Sequence, residues 1–374
     1  MNLALIGLLR RGLSLAYTVF KVLPADGRKV VFLSRQSDTI PLDFALLADR
    51  LAGASADVHL VFRCRQMGNT YRQKVAYALR LLGDAYHLAT ARVAVLDSYS
   101  VAVSVLHHKP SLYVIQLWHA MGKIKQSGFA NLGKPYGRDP RLAAALRMHA
   151  NNNLVAAGAP AWNKFYRASF GPGDYQLLNV GLPRLDHLLS DGPAIRERLL
   201  ARYPELVNKT VLLYAPTWRN NGHSGTAQLA QHVDFDTCAL VTREHRIGAN
   251  EDVADPRQTV IDADVATIDL LSVCDYLITD YSAIAVEAAA IHVKTLYYLF
   301  DYADYALNNG LNIDLFTEMP GCVFEDAADL LAVVRSGCYN LAALDNYRAK
   351  YVPATPGQAT QTISEIILKH LEAG

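Results

Sequence analysis

Asp275–Glu287 reads DYLITDYSAIAVE, a short apolar run that breaks at Asp280 and resumes as a helix. Tyr276–Thr279 suits a strand buried on both faces. A helix follows over Ala283–Ala290. Ser282 is placed to cap it, so that its free N–H groups and positive dipole face an anion. The turn Asp280–Tyr281–Ser282 therefore sits at the carboxyl end of a strand, where α/β sheets hold ligands. The chain contains no G-x-G-x-x-G and no G-x-x-x-x-G-K-[ST], so the turn is neither the dinucleotide fingerprint nor a P-loop.

The same reading extends outward in both directions. Lys29–Ser34, His59–Cys64, Val93–Ser98, Tyr113–Leu117, Leu154–Ala157 and Gln176–Val180 read as buried parallel strands. Helical spacing fills Leu42–Ala54 and Asn69–Ala91. A break near Gly181–Pro193 separates these from Thr210–Ala215, Cys238–Thr242, Tyr276–Thr279 and Thr295–Leu299, with Asp191–Gly192–Pro193 opening a helix to about Tyr203. Strand–helix alternation in two blocks predicts an α/β protein of two Rossmann-like lobes, 25–186 and 187–374, with the site in the cleft. A tail helix, Gln358–Leu371, has an apolar stripe of Ile363, Ile366, Ile367 and Leu371. The polar stretch Trp218–Ala227 reads as an active-site loop.

Composition narrows the function classes. With 374 residues, 51% hydrophobic and 19% charged, disorder is excluded. Lys and Arg total 36 against 35 Asp and Glu, so net charge gives no reason to expect nucleic-acid binding. The five cysteines form no C-x-x-C pair and read as free thiols. No metal-ligand spacing is visible, since His107 and His108 are adjacent and point to opposite faces of a strand. In residues 1–24, Arg10, Arg11 and Lys21 interrupt the apolar residues, so no run reaches the ~20 needed to span a bilayer. Arg10, Ser14, Thr18 and Lys21 share one face, while Leu5, Leu9, Leu13, Tyr17 and Phe20 lie away from it. The pattern fits an amphipathic helix in a membrane interface, or one packed on its own domain.

Polar chemistry gathers at strand ends. QLWHAMG, Gln116–Gly122, delivers His119 to the end of a strand. An imidazole there can take a proton from a hydroxyl, or it can be structural. YAPTWRN places Thr217 and Arg219 at another strand end, where a guanidinium can grip phosphate. TREHR carries Arg243 and His245, a cationic cluster or a solvated loop. Glu287, in the helix after Ser282, can reach a ribose or glycerol hydroxyl or lie at the core edge. FDYADYALNNG, Phe300–Gly310, adds Asp301 and Asp304, which line the cleft or cap a strand. Imidazoles, arginines and an anion-binding helix start suit phosphoryl transfer from a nucleotide donor.

In their order and spacing, LWHAMGKIKQSG, NKFYRASFG, VGLPRLD, LLYAPTWRN, TREH, IDLLSVCDYLITDYSAIAVEAA and YYLFDYADY resemble the CDP-glycerol glycerophosphotransferase family over roughly Val93–Gly357. The resemblance implies a glycosyltransferase B fold and a CDP-glycerol or CDP-ribitol donor, with no cofactor. It implies a lipid-linked saccharide acceptor, in teichoic acid or a related polymer, and peripheral attachment to the cytoplasmic face of the membrane. It casts His119 as the base and His245 as the second histidine, near the donor phosphates. Thr217, Arg219, Arg243, Asp280, Tyr281, Ser282 and Glu287 fall on the donor side. Trp118, Lys123 and Lys125 fall on the acceptor side, in a stretch where relatives often carry Lys-Lys-Phe-Gly and this chain has Lys125–Gly128 as KQSG. Size resembles the primases, with a polymerase or a sugar-nucleotide glycosyltransferase as alternatives.

Overall fold

The computed structural model describes residues 3–66, 71–217, 219, 222–243 and 255–373. The chain divides into two compact units. The first comprises Met1–Met121, Ser127–Asp186 and Gly357–Gly374; the second comprises Gly122–Gln126 and His187–Pro356.

The first unit is built on six parallel strands: β1 Lys29–Ser34, β2 His59–Cys64, β3 Val93–Leu96, β4 Tyr113–Gln116, β5 Leu154–Ala157 and β6 Gln176–Asn179. Their order is β2-β1-β3-β4-β5-β6. Every residue of β1, β3 and β5 is buried, which is why these segments read as continuous apolar runs without alternation. In the second unit, β7 Thr210–Ala215, β8 Cys238–Thr242, β9 Tyr276–Thr279, β10 Lys294–Tyr298 and β11 Val323–Phe324 form a parallel sheet ordered β11-β10-β9-β7-β8. The two-residue β11 is too short to leave a periodic signal in the sequence.

Three features depart from the sequence reading. The helix after β6 does not begin at Asp191 but runs unbroken over Pro183–Arg202 and contains Pro193. An interior proline costs about 3 kcal/mol, yet Leu185, Leu188, Ile195 and Leu199 are all buried along one stripe through that position. Burying each such side chain is worth roughly 1.5–3 kcal/mol, so the continuous stripe wins.

The second departure is the tail. Its helix, Ala359–Glu372, falls within the expected C-terminal lobe 187–374 in sequence but belongs to the first unit. The Thr360 N–H donates to Asp186 Oδ2 at 2.6 Å, Arg92 Nε donates to the His370 carbonyl at 2.8 Å, and the rings of Tyr113 and His370 stack at 3.6 Å.

Third, the loop expected over Trp218–Ala227 is in part packed. Tyr214 donates to the Ser224 carbonyl, His223 meets Phe300 edge-on, and Thr226–Gln231 is helical. Trp218, Asn220 and Asn221 lie outside the described residues.

The N-terminal helix, Leu3–Phe20, packs on its own unit through one stripe. Ile6, Leu13 and Tyr17 are buried in the first unit, and Leu13 and Tyr17 join the core with Leu88, Val103 and Leu96. Tyr17 donates to His108 Nδ1 at 2.8 Å. Arg10 and Lys21, on the polar face, donate to the carbonyls of Ala145 and His107. The face opposite the buried stripe leaves Leu5, Leu8, Leu9, Leu15 and Val19 exposed. By length and composition this helix could cross a membrane.

Candidate functional site

In the first unit, polar groups collect where β1, β3 and β4 end. After Gln116 the chain turns sharply, because Trp118 adopts a left-handed backbone with φ of 62°. A bulky side chain is strained there, so the surroundings must hold it. The Trp118 N–H donates to Gln116 Oε1 at 2.9 Å, and its ring stacks on His119 at 4.2 Å and meets His149 and Phe170 edge-on. The turn brings His119 out to an exposed position at the end of β4. Trp118 thus acts as the support of the imidazole.

His119 Nδ1 lies 3.3 Å from the Asp97 carbonyl and 3.4 Å from Gln36 Nε2. The carbonyl can only accept and calls for Nδ1–H, the tautomer in which Nε2 can accept a proton, whereas the Gln36 amide nitrogen can only donate and calls for the other tautomer. Arg184 fixes the same turn from behind, donating to the His119 carbonyl at 3.0 Å while pairing with Asp43 at 3.3 Å. The Asp97 carboxyl is buried, accepts from Ser34 Oγ at 2.6 Å, and is pushed above the usual carboxylate range by burial. Gln36, Asp97 and Arg184 were not singled out in the sequence. Asp97 had a signal there as the polar end of VAVLDS, and Arg184 as the arginine of VGLPRLD.

In the second unit, the turn after β9 is anchored from inside. Asp280 is fully buried and accepts the Thr217 N–H on both oxygens at 2.9 Å, the Tyr281 N–H at 2.6 Å and Arg219 Nη1 at 2.7 Å. The other edge of Arg219 grips Asp301 through Nε at 2.7 Å and Nη2 at 3.0 Å. Tyr281 and Tyr305 stack at 4.0 Å, and the guanidinium lies 5.4 Å and 4.9 Å from their centroids. Burial draws Arg219 down, but Asp280 and Asp301 carry it well above its ordinary value.

The guanidinium of Arg219, expected to grip a donor phosphate, is occupied by two carboxylates and links β7, β9 and the Phe300–Asp301 turn. Asp280 and Tyr281 are likewise internal supports. Ser282 is half-buried but is not the N-cap. The helix starts at Ile284, Ala283 stands at the cap, and no side chain caps it. Glu287 is buried, and its charge reaches Tyr347 of the helix Leu341–Tyr351, so it occupies the core edge. Thr217 is buried with its hydroxyl unpartnered among the described residues. Arg243 donates to the Asp262 and Val265 carbonyls. His245 lies outside the described residues.

Lys123 and Lys125 are not in the first unit, where the acceptor side was expected. Residues 122–126 belong to the second unit. Lys125 bridges to Leu311, the Asn312 N–H donates to the Ile124 carbonyl at 2.8 Å, and the Gln126 N–H donates to the Gly310 carbonyl at 2.9 Å. Lys123 is buried and drawn down to about 7 by burial and by Lys125. Lys125 is half-buried and drawn down to about 8, by burial first, with Asp280 opposing and Arg219 adding to the shift. Its ammonium therefore stands within electrostatic reach of the Asp280 turn. Among the described residues no group of three His, Cys, Asp or Glu side chains is placed to hold a metal ion.

Comparison with known proteins agrees with this architecture. The teichoic acid ribitol-phosphate primase of Bacillus spizizenii is 27% identical over 367 residues, covering 94% of both chains. The teichoic acid poly(ribitol-phosphate) polymerase of the same organism is 25% identical over 94% of this chain, which spans only 58% of that protein's length. The teichoic acid glycerol-phosphate primase of Bacillus subtilis is 24% identical over 77% of this chain and 76% of its own. Among solved structures, the wall teichoic acid polymerase TagF superposes with a TM-score of 0.76 at 16% identity, over 97% of this chain and 94% of that one. The fold is thus of the TagF, glycosyltransferase B type. The model of the family described as CDP-glycerol:poly(glycerophosphate) glycerophosphotransferase matches residues 15–369, and the chain belongs to that family.

Proposed function

We propose that this chain transfers glycerol phosphate from CDP-glycerol to a lipid-linked saccharide at the cytoplasmic face of the membrane, as the primase of a teichoic acid or related polymer. The observation that carries this reading is His119, exposed at the end of β4 with its Nδ1 directed to the Asp97 carbonyl. In the proposed reaction an acceptor hydroxyl oxygen attacks the β-phosphorus of the donor. His119 Nε2 takes the hydroxyl proton as the new O–P bond forms, and the bond to the bridging oxygen breaks to release CMP.

The second unit binds the donor beside the Asp280–Tyr281–Ser282 turn, with Lys125, Arg243 and His245 supplying positive charge. The buried Arg219–Asp280–Asp301 set keeps that turn rigid, which is the protein's main contribution to a loose phosphoryl transition state. Support for this donor comes from the family's description and from a TagF variant soaked with CDPG, which shares the fold at a TM-score of 0.75. The match over 94% of a primase favours addition of a single unit. That relative handles ribitol phosphate, which favours CDP-ribitol as a second reading. The exposed apolar face of the N-terminal helix supports attachment to the membrane surface.

Kinetics test the assignment. His119→Ala and His245→Ala should each lower kcat by about 10²–10⁴, with thermal stabilisation by CDP-glycerol retained in His119→Ala. Near-normal turnover in both variants would end it.

A further inference from the structure

Two neighbours of His119 Nδ1 ask opposite things of it. The Asp97 carbonyl, at 3.3 Å, calls for a proton on Nδ1, and the Gln36 amide nitrogen, at 3.4 Å, calls for a lone pair. A single ring cannot serve both. The amide, however, has a second end of the same shape. Gln36 Oε1 makes no hydrogen bond among the described residues, so turning the amide about its last side-chain bond breaks no other contact there. Turned, it brings Oε1 to Nδ1, and both neighbours then accept the same proton.

The backbone that carries Gln36 is fixed by the same strand ends that carry His119. Ser34, the last residue of β1, donates through Oγ to the buried Asp97 carboxyl at 2.6 Å and accepts the Gln36 N–H at 3.1 Å. The Arg35 N–H donates to Ser98 Oγ at 3.3 Å. Gln116 Nε2 donates to the Ser98 carbonyl at 3.1 Å, while Gln116 Oε1 accepts the Trp118 N–H. The ends of β1, β3 and β4 thus form one polar net between Gln36 and the imidazole. The charged groups of this region are the Asp97 carboxyl within the net and the Arg184–Asp43 pair at the His119 carbonyl; the Arg35 guanidinium donates to the Tyr99 carbonyl, and His149 lies beyond the Trp118 ring. Gln36 itself is exposed and adds nothing to the core.

We infer that Gln36 presents its amide oxygen to the Nδ1–H of His119 and is a positioning residue for that imidazole. The inference rests on the reading above that His119 is the base. With Oε1 at Nδ1, the neutral ring keeps its proton there and the Nε2 lone pair can take the hydroxyl proton. The imidazolium that results still has its Nδ1–H held by two oxygens, so the charge is stabilised as it forms. With the amide nitrogen at Nδ1, the neutral ring would carry its proton on Nε2 and have no lone pair there, and the imidazolium would set donor against donor.

The test compares the full-length wild type with Gln36→Met and Gln36→Glu, by NMR of protein labelled with nitrogen-15 at histidine and by the pH profile of kcat/KM. The His119 signals are assigned by their loss in His119→Asn. Neutral wild-type His119 should carry its proton on Nδ1. Gln36→Glu, which only accepts, should raise the His119 titration midpoint by about 1 pH unit. The acidic limb of kcat/KM should move to higher pH with it, because the base acts deprotonated. Gln36→Met should lower both and reduce kcat about three- to tenfold, with KM for CDP-glycerol unchanged. A neutral wild-type ring protonated on Nε2, or a Gln36→Met midpoint equal to the wild-type one, overturns the inference. The NMR arm needs no substrate, so it decides the matter whatever the donor. Midpoints that move while the kinetic limb stays in place uphold the contact and remove His119 as the base instead.

Discussion

Replacing Arg219 by methionine separates its structural role from a ligand-binding one. The Arg219 and Asp280 side chains are 5% and 0% exposed, and Asp301 closes the other edge of the guanidinium. Removing one partner of a buried ion pair costs about 3–5 kcal/mol, because the remaining charge loses its partner and regains no water. Here two carboxylates are left together, so the upper part of that range applies, roughly 4–5 kcal/mol. In a unit of this size each kcal/mol moves the midpoint by about 2–4 °C. Arg219→Met should therefore lower the calorimetric transition of the second unit by roughly 8–20 °C. Adding Asp301→Asn should restore part of the loss, since one surplus charge is removed. A shift below about 2 °C together with lost stabilisation by CDP-glycerol would refute the reasoning and return Arg219 to the phosphate.

Other outcomes follow from single contacts. Tyr17→Phe deletes the donor to His108 Nδ1, while His108 Nε2 stays committed to the Val103 carbonyl; urea unfolding should show a loss of about 1–2 kcal/mol. Lys125 has a folded value of about 8 against an ordinary 10.5, so between those values the unfolded chain binds more protons and stability rises with pH. Lys125→Met should flatten that rise in pH-dependent melts, and an unchanged slope would count against the placement. Leu8, Leu15 and Val19 are 65–71% exposed; changing all three to serine should leave Tm within about 2 °C and weaken vesicle binding at least tenfold, since each inserted side chain is worth roughly 1.5–3 kcal/mol.

Strand positions were legible because both sheets are parallel and covered on both faces, which writes them as short unbroken apolar runs bounded by polar strand ends. His119 and the Asp280 turn were legible for the same reason, since chemistry-bearing residues at strand ends stand out against such runs. What those residues touch was not. Arg219 meets Asp301 across 82 positions, and nothing local in YAPTWRN shows that its fork is already filled. Lys125 follows the His119 strand in sequence, yet a five-residue excursion pairs it with Leu311 in the other unit. The tail helix announced that it buries a stripe, but a stripe does not name its partner. Ser282 has the right chemistry for a cap, but the helix begins two residues later.

Mass spectrometry of a synthetic lipid-linked disaccharide incubated with the protein and CDP-glycerol tests the central claim most directly. The account predicts a product heavier by one glycerol phosphate, with CMP released in equal amount. An acceptor of unchanged mass in the presence of a donor the protein demonstrably binds would contradict it.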